Sequence, residues 1–179
     1  MELITQLMDQ AQIGRSLARI AHEIIEKDST SSHVCLVGIK RRGIPLAQIL
    51  SDNIKKFTGV SLPVGEVDIS LYRDDLTELS QTPQTTGINL PDNIQDYIVI
   101  LVDDVIYTGR TIRAAIDAVF SKGRPKTIQL AVLIDRGHRE LPIRPDFVGK
   151  NVPTSRDEMI DVSILGIDSE TSVKLYKLS

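Results

Sequence analysis

Apolar residues recur at helical spacing at Ile13, Leu17, Ile20, Ala21, Ile24 and Ile25, which predicts an amphipathic helix over about Ile13–Lys27. The polar run Asp28 to Ser32 ends it. His33–Ile39 (HVCLVGI) is short, apolar and rich in β-branched residues, the pattern of a strand buried on both faces. A second helix follows over about Ile44–Phe57, with Leu46, Ile49, Leu50 and Ile54 on its inner side, and Val64–Leu71 alternates as a strand does. Leu76–Pro91 has no period and is rich in Thr, Gln, Ser and Pro, so it reads as a long loop, a length that in compact domains is usually functional or disordered. Tyr97–Val102 is the clearest buried strand, followed by a helix over about Arg110–Ser121 that Gly123 closes, and then by a strand at Ile128–Ile134. Arg136–Arg156, with Pro142, Pro145 and Pro153, reads as irregular; short strands near Ile160–Ile164 and Val173–Tyr176 finish the chain.

Strands alternating with helices argue an α/β fold with a central parallel sheet flanked by helices. Ligands of such sheets bind beyond the carboxyl ends of the strands, which directs attention to Lys40, to Asp103 onward and to Asp135 onward. A chain of 179 residues is long enough for a single sizeable core, and 41% hydrophobic with 25% charged residues is ordinary for a globular protein. The longest apolar run, Ile98 to Val102 behind Tyr97, is far too short to cross a bilayer, and the start MELITQLMDQ lacks a basic secretory n-region. Cys35 stands alone, so neither a disulfide framework nor a cysteine-based zinc site is available, and a cytoplasmic address follows as the expectation. The net charge of −3 excludes a protein that coats nucleic acid indiscriminately, yet charge is unevenly spread. Arg136 to Arg156 holds five basic residues (Arg136, Arg139, Arg144, Lys150, Arg156) against two acids (Glu140, Asp146), and Arg15, Arg19 and His22 share one face of the first helix.

The most informative stretch is Val99 to Thr111, VILVDDVIYTGRT, comprising Val99, Ile100, Leu101, Val102, Asp103, Asp104, Val105, Ile106, Tyr107, Thr108, Gly109, Arg110 and Thr111. A buried strand gives way to two acids, and a Thr-Gly turn then opens a helix. Unsatisfied N–H groups and the positive dipole end at a helix start favour a phosphate there. Gly109 permits close backbone approach, and Thr108 and Thr111 add hydroxyls. Carboxylates repel a phosphate, so Asp103 and Asp104 suit a neutral polyol whose hydroxyls donate to them. One turn thus serves a phosphate and a ribose side by side.

This motif resembles the signature of the type I phosphoribosyltransferases. The resemblance implies a Rossmann-like sheet with a small hood (roughly residues 135–157) and a mobile flap loop (roughly 70–92) in one domain over residues 1–179. It implies that the chain binds 5-phosphoribosyl-1-pyrophosphate, with Mg2+ bridging pyrophosphate and ribose hydroxyls, and that a base displaces the pyrophosphate. Asp103 and Asp104 would hold the ribose hydroxyls, and Tyr107 to Thr111 the 5′-phosphate. VGIKRRGIPLA (Val37 to Ala47) stands where the family keeps its pyrophosphate loop, so Lys40, Arg41, Arg42 and Gly43 would face the leaving group. The candidate catalytic residues are accordingly Asp103, Asp104, Arg41 and Arg42. Tyr72 and Arg73, in VDISLYRDDL, would belong to the flap.

Together with RIAHEIIEK (Arg19 to Lys27) and LIDRGHRELPIRPDFVGKNVPTS (Leu133 to Ser155), these blocks resemble one narrower group, the bacterial pyrimidine-operon attenuation regulators that are also uracil phosphoribosyltransferases. Purine-specific members of the wider family carry an acid just before the Thr-Gly of the phosphate loop; Tyr107 stands there, which favours uracil, and Arg136, Phe147 and Val148 are the candidates beside the base. Phe147 could equally pack in the core, and Arg136 could pair with Asp135. The narrower resemblance implies UMP as product, a homodimer or a tetramer of such dimers, and a leader mRNA of pyrimidine genes as partner, bound on a face matched here by His22, Lys27, Arg139, Arg144 and Lys150. Two departures stand out: Arg41 replaces the group's usual threonine, and Ala18 replaces a threonine of the RNA face. A salvage enzyme without RNA binding, and a purine or orotate enzyme, remain the competing readings.

Overall fold

A computed structural model describes residues 1–28, 33–70 and 87–178. Its main sheet has six strands: β2 (Val34–Ile39), β3 (Val64–Val67), β4 (Ile88–Asn89), β5 (Ile98–Ile106), β6 (Thr127–Asp135) and β7 (Phe147–Asn151), in the order β4-β3-β2-β5-β6-β7. The pairs from β3 through β7 are parallel, and only β4 runs antiparallel to its neighbour. Helices α1 (Gln10–Lys27) and α2 (Gly43–Thr58) cover one face, where Ile13, Leu17, Ile20, Leu46 and Leu50 pack on Leu36, Ile100, Val102, Ala131 and Leu133. Helix α3 (Arg110–Phe120) covers the other, setting Ile112, Ala115 and Val119 against Val37, Val99, Leu101 and Val132. Every residue of β2 is buried, as a strand covered on both faces requires.

Several predicted boundaries move for local reasons. Helix α1 begins at Gln10 because Asp9 caps it: the Gln12 N–H donates to Asp9 Oδ1 at 2.8 Å, and Gln12 Oε1 accepts from the Asp9 N–H at 2.9 Å. Strand β3 stops at Val67, four residues short of the expected Leu71. Strand β5 does not end at Val102; it runs on through both acids to Ile106, because β6 continues beside it with Val105 opposite Ile134 and Ile106 opposite Asp135. The stretch expected to be irregular contains β7, which pairs with β6.

The second sheet corrects the expected hood. Its three antiparallel strands, in the order β1-β9-β8, are β1 (Glu2–Met8), β8 (Glu158–Ser163) and β9 (Ser172–Lys177), so it is built from the two ends of the chain. Residues 135–157 instead hold the end of β6, all of β7 and the segments that flank it. Met8, Ile160, Val162, Ile164 and Val173 join the same core as α1 and α2, which fixes the second sheet over one end of the first.

Candidate active site

The site gathers at the carboxyl ends of β2, β5 and β6. On β5, Asp103 is 7% exposed; its Oδ1 accepts from the Asp104 N–H at 2.9 Å, and Asp104 Oδ1 accepts from the Val105 N–H at 2.7 Å. Burial raises the Asp103 carboxyl well above its ordinary pKa, with repulsion from Asp104 adding to it. Burial likewise raises Asp104, against the opposing pull of its hydrogen bonds and of Arg42. Two dehydrated acids at a strand end bind hydroxyl donors or a hard cation well. Among the described residues no cluster of three or more His, Cys, Asp or Glu is placed to hold a metal ion.

After Ile106 the chain turns through Tyr107, Thr108 and Gly109 into α3. Gly109, with φ of 94°, is the helix cap and provides no side-chain acceptor of its own to the first turn. Thr108 Oγ1 accepts from the Arg110 N–H at 3.3 Å. Val105, Ile106, Tyr107, Thr108, Gly109, Thr111 and Ile112 line a cavity of about 110 Å3, the place predicted for the 5′-phosphate.

The loop from β2 to α2 lies alongside. A Cβ at Gly43 would stand 2.2 Å from the Val102 carbonyl oxygen, and one at Gly38 would stand 2.6 Å from the Ile44 Cα. Glycine at Gly43 lets the loop close onto β5, and glycine at Gly38 lets the start of α2 lie against β2. The Lys40–Arg41 peptide is cis. Lys40 pairs with Asp68 at 3.4 Å. Arg42 is held at 3.0 Å from both carboxylate oxygens of Asp168, which also accepts from the Ile164 N–H, so Arg42 ties the loop to the second sheet. This pairing holds the Asp168 carboxyl below its usual range and raises the Arg42 guanidinium. The sequence pattern anticipated the cations but not Asp68 or Asp168, whose positions become meaningful only once the chain is folded. Tyr72 and Arg73 lie outside the described residues.

Of the residues expected beside the base, Phe147 packs in the core, whereas Val148 is partly exposed and lines a cavity with Asp135, Gly137 and Arg139. Both sit on β7, Phe147 opposite Ala131 in the middle of β6, and Phe147 is 3% exposed in the core under α1. The expectation for Phe147 is corrected: β7 enters the sheet alongside β6, which turns Phe147 inward as packing. Arg136 follows directly on the end of β6. It is buried and lies 4.0 Å over the Tyr107 ring, and it donates to Thr154 Oγ1 at 3.0 Å and to the Glu158 carbonyl at 2.8 Å. Asp135 pairs with Arg139, not with Arg136. The segment Thr154 to Glu158, absent from the sequence-based set, is thereby brought to the site.

The residues assigned to RNA separate. The His22 ring stacks on Phe57 at 4.1 Å, and Lys27 pairs with Asp146 at 3.1 Å. Lys150 donates to the Leu7 carbonyl at 3.3 Å and, with Met8, Gln12, Arg15, Ser16, Arg19 and Gly149, lines a cleft of about 350 Å3 between α1 and β7. On the other side of β7, Arg144, with Asp135, Gly137, Arg139, Pro145, Val148 and Asn151, lines another of about 380 Å3. Arg139 donates to protein partners, which include the Tyr107 carbonyl and Asp135, and lines the second cavity and not the cleft beside α1. No helix among the described residues is long and apolar enough to cross a membrane.

Comparison with known proteins agrees with this geometry. Residues 4–164 match the phosphoribosyl transferase domain family. The bifunctional protein PyrR of Clostridium acetobutylicum is 55% identical over 178 residues, 99% of this chain and 100% of the relative. That of Clostridium kluyveri is 58% identical over the same lengths. Among solved structures, a hypoxanthine-guanine phosphoribosyltransferase of Bacillus anthracis superposes with a TM-score of 0.72 over 100% of both chains at 18% identity, a likeness of fold.

Proposed function

Because the chain belongs to the phosphoribosyl transferase domain family, and within it to the bifunctional PyrR proteins, we propose that it converts uracil and 5-phosphoribosyl-1-pyrophosphate to UMP and pyrophosphate, and that UMP in the same site governs binding to the leader mRNA of pyrimidine genes. The observation that carries the enzymatic half is the juxtaposition of Asp103 and Asp104 with the cavity of the Tyr107–Thr111 turn. In the reaction the C1′–oxygen bond to pyrophosphate breaks, its electron pair leaving with the pyrophosphate, while uracil N1 bonds to C1′ and its proton passes to solvent. Positive charge develops on the ribose and negative charge on the leaving group, so positioned charges matter more than a general base. Asp103 and Asp104 orient the ribose through its hydroxyls, and Lys40 and Arg41 lie on the leaving-group side. Mg2+ bound with the substrate would have Asp103 and Asp104 as the nearby acids to help hold it, and it would supply neutralisation of the pyrophosphate charge.

Tyr107 backed by Arg136 places an aromatic face and a buried cation where an acid would suit an imidazole ring, which supports a pyrimidine. Incubation with uracil, hypoxanthine, guanine and orotate together should give UMP as the main nucleotide; IMP, GMP or OMP in its place sinks the assignment. The regulatory half is supported by the basic cleft of Arg15, Arg19 and Lys150. A cytoplasmic homodimer, able to pair into a tetramer, is part of the same proposal.

A further inference from the structure

We propose that Arg139 is a positioning residue for the phosphoribosyl loop, acting through the Tyr107 carbonyl; the inference rests on the phosphoribosyl reading of that loop. The Arg139 guanidinium donates through Nη2 to Asp135 Oδ2 at 2.6 Å, through Nη1 to the Tyr107 carbonyl at 3.0 Å, and through Nε to the Ile143 carbonyl at 2.9 Å. A longer contact reaches the Gly137 carbonyl at 3.5 Å. Asp135 in turn accepts from the Gly137 N–H at 3.0 Å, which fixes the turn that presents Arg139. Side-chain exposures of 21% for Arg139 and 16% for Asp135 make this a largely dehydrated pair, unlike a surface ion pair whose worth water screens away.

The neighbouring loop carbonyl is held in the same manner. The Glu140 and Leu141 N–H groups both donate to the Thr108 carbonyl, at 2.9 and 3.2 Å, and Arg110 pairs with Glu140 at 2.9 Å. In a trans peptide the carbonyl and the next N–H point in opposite directions. Drawing the Tyr107 and Thr108 carbonyls onto segment 137–143 therefore turns the Thr108 and Gly109 N–H groups the other way. Among the described residues neither N–H donates to a protein acceptor, and both residues line the small cavity of the turn. Arg139 thus aims N–H groups at a phosphate it does not touch.

The test is calorimetric titration of the full chain with ribose 5-phosphate and with UMP, on Arg139→Gln, Arg139→Lys, Asp135→Asn and the Arg139→Gln, Asp135→Asn pair. Arg139→Gln is expected to weaken both ligands roughly tenfold, the scale of one hydrogen bond to a charged group. Lysine keeps the charge beside Asp135 but cannot span Tyr107 and Ile143, so Arg139→Lys recovers only part. The pair should lose much less than the product of the two single losses, since both changes break one network. In steady state the KM for 5-phosphoribosyl-1-pyrophosphate should rise while that for uracil at saturating co-substrate holds, a split that general loosening does not produce. Ribose 5-phosphate affinity within about twofold of wild type in a folded Arg139→Gln protein, well below its melting temperature, overturns the inference. If the glutamine variant does not fold, the lysine and Asp135 variants decide by the same readout. Wild-type binding of ribose 5-phosphate without UMP refutes the uracil assignment and leaves this test intact; binding of neither overturns both.

Discussion

Burial raises both Asp103 and Asp104, and the nearby Asp104 charge adds to the effect on Asp103. A carboxyl whose folded pKa exceeds its unfolded one takes up protons on folding, so stability falls as pH rises from the unfolded value of about 4 through the raised folded value. At neutral pH the unligated protein therefore holds these acids at a cost in stability, which ligand hydroxyls offset. Asp103→Asn should raise the melting temperature at pH 7 by about 2–4 °C, on the order of 1 kcal/mol, and that gain should shrink as pH falls toward about 4. A thermal melt series in pH checks it; a variant less stable than wild type at neutral pH contradicts the account. The same change should cost binding of 5-phosphoribosyl-1-pyrophosphate about 1.5–3 kcal/mol, and the double change to asparagine should abolish it. Undiminished affinity in calorimetry with Mg2+ present would remove the central claim about the site. Cys35 behaves oppositely to a reactive thiol: burial lifts its pKa to about 11, so alkylation should await unfolding.

Among the elements, the site depends on how closely the β2–α2 loop approaches β5. With the Val102 carbonyl oxygen 2.2 Å from where a Cβ would fall, Gly43→Ala forces backbone to move, and should destabilise the fold by about 2–4 kcal/mol in urea titration. A cost within about 0.5 kcal/mol of zero would show that the loop yields freely. This approach was legible only as a glycine in a motif; the distance needed the fold. Strands β2, β5 and β6 were readable because burial on both faces writes an unbroken apolar run. The end of β5 was misplaced because a charged residue usually marks a strand's exit, whereas Asp103 stays in the ladder opposite Val132. Strand β1 carried no usable signal: its burial pattern is almost wholly exposed, and its partner β9 lies at the far end of the chain. Strand β7, only five residues long with a glycine at its centre, was lost among prolines for the same lack of periodicity. Asp68, Asp168 and the Thr154–Glu158 segment join the site through such long-range pairings, which a reading along the chain does not contain.

Over the whole molecule, the formal charge of −3 conceals a basic edge that folding both sharpens and trims. Of the five basic residues between Arg136 and Arg156, Arg136 is buried against Tyr107 and Arg139 braces the phosphate loop, while Arg144 and Lys150 stay at the surface on the two sides of β7. Arg19 binds the Val148 and Gly149 carbonyls, so α1 and β7 present their cations as one unit. If this edge binds the leader RNA, Arg144→Glu and Lys150→Glu should each weaken that binding by roughly 1–3 kcal/mol. Uracil turnover should stay within a few-fold, because neither side chain bonds to the phosphate loop or to Asp103 and Asp104. Affinity should fall steeply as salt rises, since each phosphate contact releases counterions. UMP should tighten RNA binding, and by linkage the RNA should tighten UMP by the same factor. Filter binding of leader and unrelated RNA, with and without UMP, checks all three, and the decisive comparison is wild type against itself. A wild-type chain that shows no preference for the leader hairpin under either condition is a salvage enzyme alone, and its basic edge is a solvated surface.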